Sequence, residues 1–323
     1  MGKIKKIFRT LLRQLRSIIS CDPELLERNM FLQAKLISDR QLEVGITQLQ
    51  NAEFRVFSQW GEDGILNWLT SRIPNINKSF VEFGVQNYRE SNTRYLLIAQ
   101  NWRGLVIDGS MKHIESIRSQ DVYWRQDLEA KCAFIDKDNI NTIIAESGFK
   151  GDIGLLSIDI DGNDYWVWQA IESVSPAIVI CEYNAALGDL LSLTIPYVAD
   201  FNRTRAHYSN LYFGASIQAL VHLGLSKGYV FIGTNSAGCN AFFVRQDHAP
   251  AVTKQLDDFL AYPSLFREAR GKNGRLSFVG GKTRQAIIGN LPFVDPVSGK
   301  CLDLDSWGQL SSDIWSQGKG VRF

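Results

Sequence analysis

GDIGLLSIDIDGNDYWVWQAIESVSPAIVICEYN, residues 151–184, contains two short branched apolar runs, 153–158 and 177–181, each followed by acidic and amide side chains. Runs of this length and composition are what a parallel strand buried on both faces requires. Between them, 164–173 can form a short helix, with Asp164 placed to cap its start and Pro176 preventing its continuation. The unit is therefore β-α-β. Asp159, Asp161, Asn163 and Asp164 follow the first strand, and Glu182 and Asn184 close the second. Ligands of open α/β sheets bind at the carboxyl ends of the strands, so these polar groups should converge on one crevice.

Upstream, SFVEF at 79–83 reads as a buried strand ending at Gly84, followed by a helix over 94–100. Strand, glycine turn and helix make a nucleotide-site geometry, but the full GxGxxG fingerprint is absent, which argues against a pyrophosphate cradle. Glu82 before the glycine favours a positively charged or hydroxylated ligand. A second strand at 105–107 ends in Asp108-Gly109, and an acid at that tip is the usual partner of an adenosine ribose. The plainer alternative is an Asp-Gly turn. A third strand is expected at 122–124 and a helix at 140–145. Such alternation implies a parallel sheet with helices on both faces.

Residues 185–212 interrupt the series with little periodicity, and their Thr194, Tyr197, Arg203, Arg205, His207, Tyr208 and Tyr212 could contact sugar hydroxyls or phosphate. A helix at 215–226 and strands at 229–232 and 241–244 follow; the short GTNSAGCN connection demands an antiparallel hairpin. In FSQWGEDGILNWL, at 57–69, Ser58, Gln59, Glu62 and Asp63 read either as a helix start with an acidic first turn or as a lid over the crevice.

FVEFGVQNYRESNT, GLVIDG, LLSIDIDGNDYWVW, VICEYN, YFGASIQAL and SAGCNAFFVR, in this order over roughly 55–246, resemble the FkbM-like group of class I S-adenosylmethionine-dependent methyltransferases. The resemblance implies a Rossmann-like seven-stranded sheet with the last strand antiparallel. It also implies that Glu82 and Gly84 border the methionine part of the cofactor, Asp108 the ribose and 127–133 the adenine, with Asn92, Gly109 and Asp127 among the cofactor-binding residues. Families of this type methylate hydroxyls of sugars in glycolipids, polysaccharides or natural products. One departure stands out: Gln86, Asn87 and Tyr88 occupy the place of the usual second glycine of the first loop.

Methyl transfer to a sugar hydroxyl requires the acceptor oxygen to be oriented and its proton removed. Asp159, Asp161, Glu182 and Asn184 could hold Mg²⁺ for this purpose, since hard oxygen ligands suit it. Alternatively a carboxylate, or His207, serves as base without metal; Asp159, Asp161 and His207 are thus the catalytic candidates. The third reading of the cluster is a turn followed by a helix cap. Two rival functions remain: a glycosyltransferase holding a metal and a nucleotide sugar through Asp159-Ile160-Asp161, and a non-catalytic protein using the crevice for recognition.

Composition bounds the rest. With 45% hydrophobic and 21% charged residues in 323, the chain reads as a folded globular protein. Five scattered cysteines without metal spacing read as reduced thiols of a cytoplasmic protein. Residues 1–52 form a helical extension, 53–246 the catalytic domain with its insertion, and 247–323 a packed C-terminal appendage that includes an expected helix at 251–260. Residues 3–19 read as a basic amphipathic helix, with Lys3, Lys5, Lys6, Arg9, Arg13 and Arg16 against no acid, leaving 29 basic and 34 acidic side chains elsewhere. It serves either as a peripheral anchor on the inner membrane face or as a terminal helix packed on its own domain. Arginines interrupt any secretory core, and Lys6 stands where a myristoylation site needs Ser or Thr. The basic residues from Arg267 to Arg284 read as solvated surface, and the near-neutral net charge of +1 argues against nucleic acid.

Overall fold

The computed structural model describes residues 23–323; the expected amphipathic helix at 3–19 lies outside them. Seven strands make one sheet: β1 (Ser79–Phe83), β2 (Arg103–Asp108), β3 (Leu128–Cys132), β4 (Gly151–Ile158), β5 (Val174–Glu182), β6 (Tyr229–Thr234) and β7 (Asn240–Arg245). Their order is β3-β2-β1-β4-β5-β7-β6, with β7 antiparallel to both neighbours and the first five strands parallel. This is the arrangement that the resemblance implies. The order reverses between β1 and β4, and such a switch point leaves a crevice at the carboxyl ends of those two strands.

The apolar runs are continuous because both sheet faces are covered. Alternate residues point to opposite sides. Phe80, Val106, Leu155, Ile178 and Phe242 pack with the helices Glu62–Arg72, Arg94–Gln100 and Met111–Arg118. Val81, Ile107, Leu156, Val179 and Phe243 pack with Ile140–Glu146, Asp164–Ala170 and Ile217–Ser226 on the other. At the extension, Pro23 opens a helix through Val44, held to the domain by Ala34 and by Phe31 against Phe57 and Tyr95.

The third strand differs from expectation. Residues 121–125 are a helical turn, Asp121–Arg125, and the strand lies at Leu128–Cys132. Val122, Tyr123 and Trp124 are good strand formers, but Trp124 is exposed and an Asp121–Arg125 pair at 3.3 Å spans the turn. The true strand occupies the sheet edge, so only Leu128 and Ala130 need to be buried while Glu129 faces solvent. Its pattern is polar where the central strands are apolar. The helix expected at 251–260 ends at Thr253, and Leu260–Ala261 pairs instead with Val321–Arg322 near the C-terminus.

A third cluster joins the insertion to the appendage. Leu187, Leu193, Ile195 and Leu211 from the former pack with Ala269, Ile288, Phe293, Leu304 and Leu310 from the latter. Thr194 bridges both Ala215 and Val294. The two segments, separated in sequence by the hairpin, share one small core.

Candidate active site

Gly84 fixes the start of the crevice. Its φ is +70°, and a Cβ placed there would meet the Asp159 carbonyl oxygen at 1.7 Å, so no other residue fits without displacing the β4 tip. The loop that follows keeps glycine-like geometry without glycine: Gln86 has φ +47° and Tyr88 +60°. Tyr88 is held by burial and by a 2.9 Å bond between its hydroxyl and Thr93 Oγ1. Gln86 is held by its backbone N–H, which donates to Asp108 Oδ2 at 2.8 Å.

Glu82 organises this loop from beneath. It accepts from Ser91 Oγ at 2.6 Å, Thr93 Oγ1 at 2.5 Å and the backbone N–H groups of Asn92 and Thr93. Burial pushes its carboxyl up, and these donors pull it back. Asn92 itself donates through Nδ2 to Ser157 Oγ on β4 at 3.1 Å. At the β2 tip, Asp108 Oδ1 accepts from the Ser110 N–H at 2.8 Å and lies 3.0 Å from His113 Nδ1.

Two adjoining cavities share Gly84, Gln86 and Asp159. One, about 180 Å³, is bordered by Asp108, Gly109, Phe134, Ile135, Ile160 and Asn163. The other, about 140 Å³, is bordered by Gln59, Glu82, Glu90, Asn92 and Asn240. Among the described residues, no lysine or arginine lines either one. Glu82, Asp108 and Asp159 therefore face a single cleft. Asp127 does not: it precedes β3, at the opposite end of the sheet, exposed and 3.8 Å from Arg103 at the start of β2. The displacement follows from the strand register, since with β3 at 128–132 its tip delivers Ala133, Phe134 and Ile135 to the cavity.

Past β4, Asp159, Asp161 and Glu182 bring carboxylate oxygens within 4.8 Å of one another. Asp161 has φ +56° and pairs through Oδ1 with Arg203 at 2.5 Å; Arg203, only 8% exposed, also pairs with Glu268 and lies over the Phe213 ring. Burial, then the charges of Asp161 and Asp164, raise the Asp159 carboxyl well above the ordinary range, with Arg203 acting in the opposite sense. Burial and then Asp159 do the same to Glu182, whose Oε2 has no hydrogen-bond partner among the described residues. Like charges this close oppose one another's ionisation, so Asp159 and Glu182 hold their protons to higher pH than isolated carboxyls would.

The remaining candidates are scaffold. Asn184 donates to the Leu211 and Phe213 carbonyls and accepts from the Ala186 N–H, which leaves its amide engaged on every side and turned away from the metal role. Asp164 is the first residue of its helix, and its carboxylate accepts the Ile160 and Gly162 N–H groups; it closes the turn instead of capping from outside. His207 Nδ1 lies 2.7 Å from Ser209 Oγ, and the ring borders neither cavity. Of the 58–63 segment, Ser58 and Asp63 close the helix start reciprocally, Glu62 ties it to Asn235 and Asn240 of the hairpin, and Gln59 alone reaches the cleft. The basic tail is partly structural, since Arg284 is buried and donates to the carbonyls of Ser264, Phe266 and Val279.

Arg203, expected only as one of several insertion residues able to contact sugar hydroxyls or phosphate, is instead the ion-pair partner of Asp161 and Glu268. Nothing in RTRA distinguishes one arginine of the insertion from another. Phe134 and Ile135 carried a signal that a correct edge-strand assignment would have exposed.

No family model matches the chain, and no curated protein matches it. Among solved structures it is similar to a S-adenosylmethionine-dependent methyltransferase from Clostridium acetobutylicum ATCC 824, at 9% identity over 67% of this chain and 98% of that one, TM-score 0.37. It is also similar to the O-methyltransferase from Bacillus cereus in complex with SAH, at 12% identity over 72% and 95%, TM-score 0.37. A third is the N-terminal domain of EvdMO1 in the presence of SAH and D-fucose, at 10% identity over 70% and 97%, TM-score 0.38.

Proposed function

We propose that the protein is an S-adenosylmethionine-dependent O-methyltransferase acting on an aliphatic hydroxyl of the kind that sugars carry. The observation that carries this reading is the charge of the two joined cavities: among the described residues, Glu82, Glu90, Asp108, Asp159 and Asp161 line them, and no cationic side chain does. A dinucleotide or nucleotide-sugar diphosphate would bring two phosphates into an acid-lined cleft. A sulfonium donor with an ammonium group suits it. The Asp108 side, walled by Phe134, Ile135 and Ile160, takes the adenosine; the side of Glu82, Gln59 and Asn240 takes the methionine part.

When bound, the donor supplies an electrophilic methyl group that an in-line oxygen can attack as the sulfonium becomes a neutral thioether. The chain supplies orientation and a proton acceptor. Asp159 sits where the two cavities meet, with Glu182 beside it, so the hydroxyl proton passes to this carboxylate pair as the new bond forms. Arg203 holds Asp161 and moderates the negative charge. A divalent cation fits the same oxygens: the set is hard, and Glu182 Oε2 has no hydrogen-bond partner among the described residues. Asp159 and Glu182 would hold it, and it would lower the pKa of the acceptor hydroxyl.

Calorimetry with S-adenosylmethionine and S-adenosylhomocysteine tests the reading. Wild type should bind both, and Asp108→Ala should weaken binding by about tenfold or more, on the scale of a charge-assisted hydrogen bond. Binding of a UDP-sugar with none of S-adenosylmethionine would overturn it. Turnover indifferent to EDTA would assign proton removal to the carboxylates alone.

A further inference from the structure

The helix Pro23–Val44 leaves much of its apolar surface uncovered. Leu25, Leu32 and Leu36 form one row at spacings of seven and four residues, 53%, 63% and 69% exposed, and Leu26, Ile37 and Val44 form a second. A single exposed leucine is ordinary, whereas two rows mark a contact surface. Directly before this helix in sequence come the six basic side chains of residues 1–20, with no acid among them.

A groove of about 730 Å³ runs from Glu27 on this helix to the turn Asp121–Arg125, lined by Arg89, Arg94 and Arg125 together with Phe57, Ile98 and Val122. On that turn Trp124 is 70% exposed, with the Arg125 guanidinium 4.8 Å from its ring centroid. Exposed leucine rows, an outward tryptophan and concentrated positive charge are together the chemistry of a surface that meets anionic lipid.

We propose that residues 1–44, with Trp124 and the groove arginines, dock the protein on an anionic bilayer surface, lying in the interface without crossing it. No described helix is long and apolar enough to span. One weak amphipathic contact gives only marginal attachment, so the apolar rows and the basic run act together. Self-association through the same rows is disfavoured by charge, because it would bring two copies of the basic segment together. Docking also has a bearing on the cleft: the loop whose Asn87 and Glu90 border it carries Arg89 into the groove.

Co-sedimentation of the full chain with vesicles of phosphatidylcholine alone, or mixed with phosphatidylglycerol, tests the proposal. The protein should bind only the anionic vesicles, and less at 1 M salt, where the screening length falls to about 3 Å. Lys5→Ala, Lys6→Ala and Arg9→Ala should each lower the partition constant about fivefold, the factor for one basic residue near such a surface. Leu32→Glu with Leu36→Glu should lower it further while leaving the circular dichroism spectrum unchanged, since both side chains are exposed. No binding to anionic vesicles, or binding untouched by the leucine changes, overturns the proposal. So does a concentration-dependent dimer, seen by analytical ultracentrifugation, that the leucine changes dissociate in the absence of vesicle binding.

Discussion

Glu82 on β1 and Glu182 on β5 lie at the same carboxyl end of the sheet; burial raises both carboxyls, but their partners differ. Glu82, beneath the loop after β1, accepts four hydrogen bonds and is rigidly placed. Glu182, beside Asp159, has an unpartnered oxygen and a carboxyl pushed well up by burial and by its neighbour. Both are carboxylates in a poor solvent for charge. The first is stabilised by donors that hold it in one state, so it serves as architecture. The second sits among like charges and is poised to gain or lose a proton, which is what chemistry requires.

The contrast can be broken most directly at Asp159. Asp159→Asn should lower methyl transfer by roughly 10²- to 10⁴-fold, the range for losing a positioned base, while folded stability at pH 7 is unchanged or higher because one of several crowded charges is gone. Steady-state turnover alongside urea unfolding separates the two effects; equal losses in both would erase the distinction between the regions. On the architectural side, Glu82→Ala strands several buried donors and should cost about 3 kcal/mol or more in urea unfolding, even without ligand.

A pH series sharpens the comparison next. Asp159 and Glu182 titrate well above their ordinary values when folded, and Asp63 and Asp164 at about 6. Between an unfolded value near 4 and those raised values the folded state holds more protons, so stability should fall as pH rises from about 4 through 7. Asp159→Asn should flatten that slope, whereas an unchanged slope would mean that the carboxylates do not share their proton. A smaller effect is expected at Gln86→Gly: relief of a left-handed non-glycine residue offsets the added freedom of the unfolded chain, for a net change within about 1 kcal/mol. The smallest is Asp127→Ala, which should leave S-adenosylmethionine affinity unaltered in calorimetry, since Asp127 lies at the far end of the sheet.

What the sequence disclosed followed from burial on both faces. SFVEF matches β1 residue for residue, and the hairpin was dictated by the short link between β6 and β7. The carboxylates after β4 and β5 were legible because strand ends were legible. The edge strand was not: LEAKC has half a buried face and the chemistry of a surface loop. The resemblance, which places 127–133 against the adenine, includes Asp127, which the structure leaves at the far end of the sheet. Arg203 was equally hidden, because its pairing with Asp161 and Glu268 joins residues 42 and 65 positions apart, beyond any local periodicity. The helix start at Glu62 shows both readings meeting in one segment, with Asp63 closing the turn and Gln59 reaching the cleft.

The small core common to 185–211 and 269–310 limits how the protein can diversify. Arg203 pairs with Asp161 and Phe201 packs against Gly162, so that module abuts the turn that carries Asp161 into the cleft. Grafting only the insertion from a related protein would expose leucines matched to a foreign tail. A chimera that replaces the insertion must therefore inherit both stretches as one cassette, although almost sixty residues of unrelated chain lie between them.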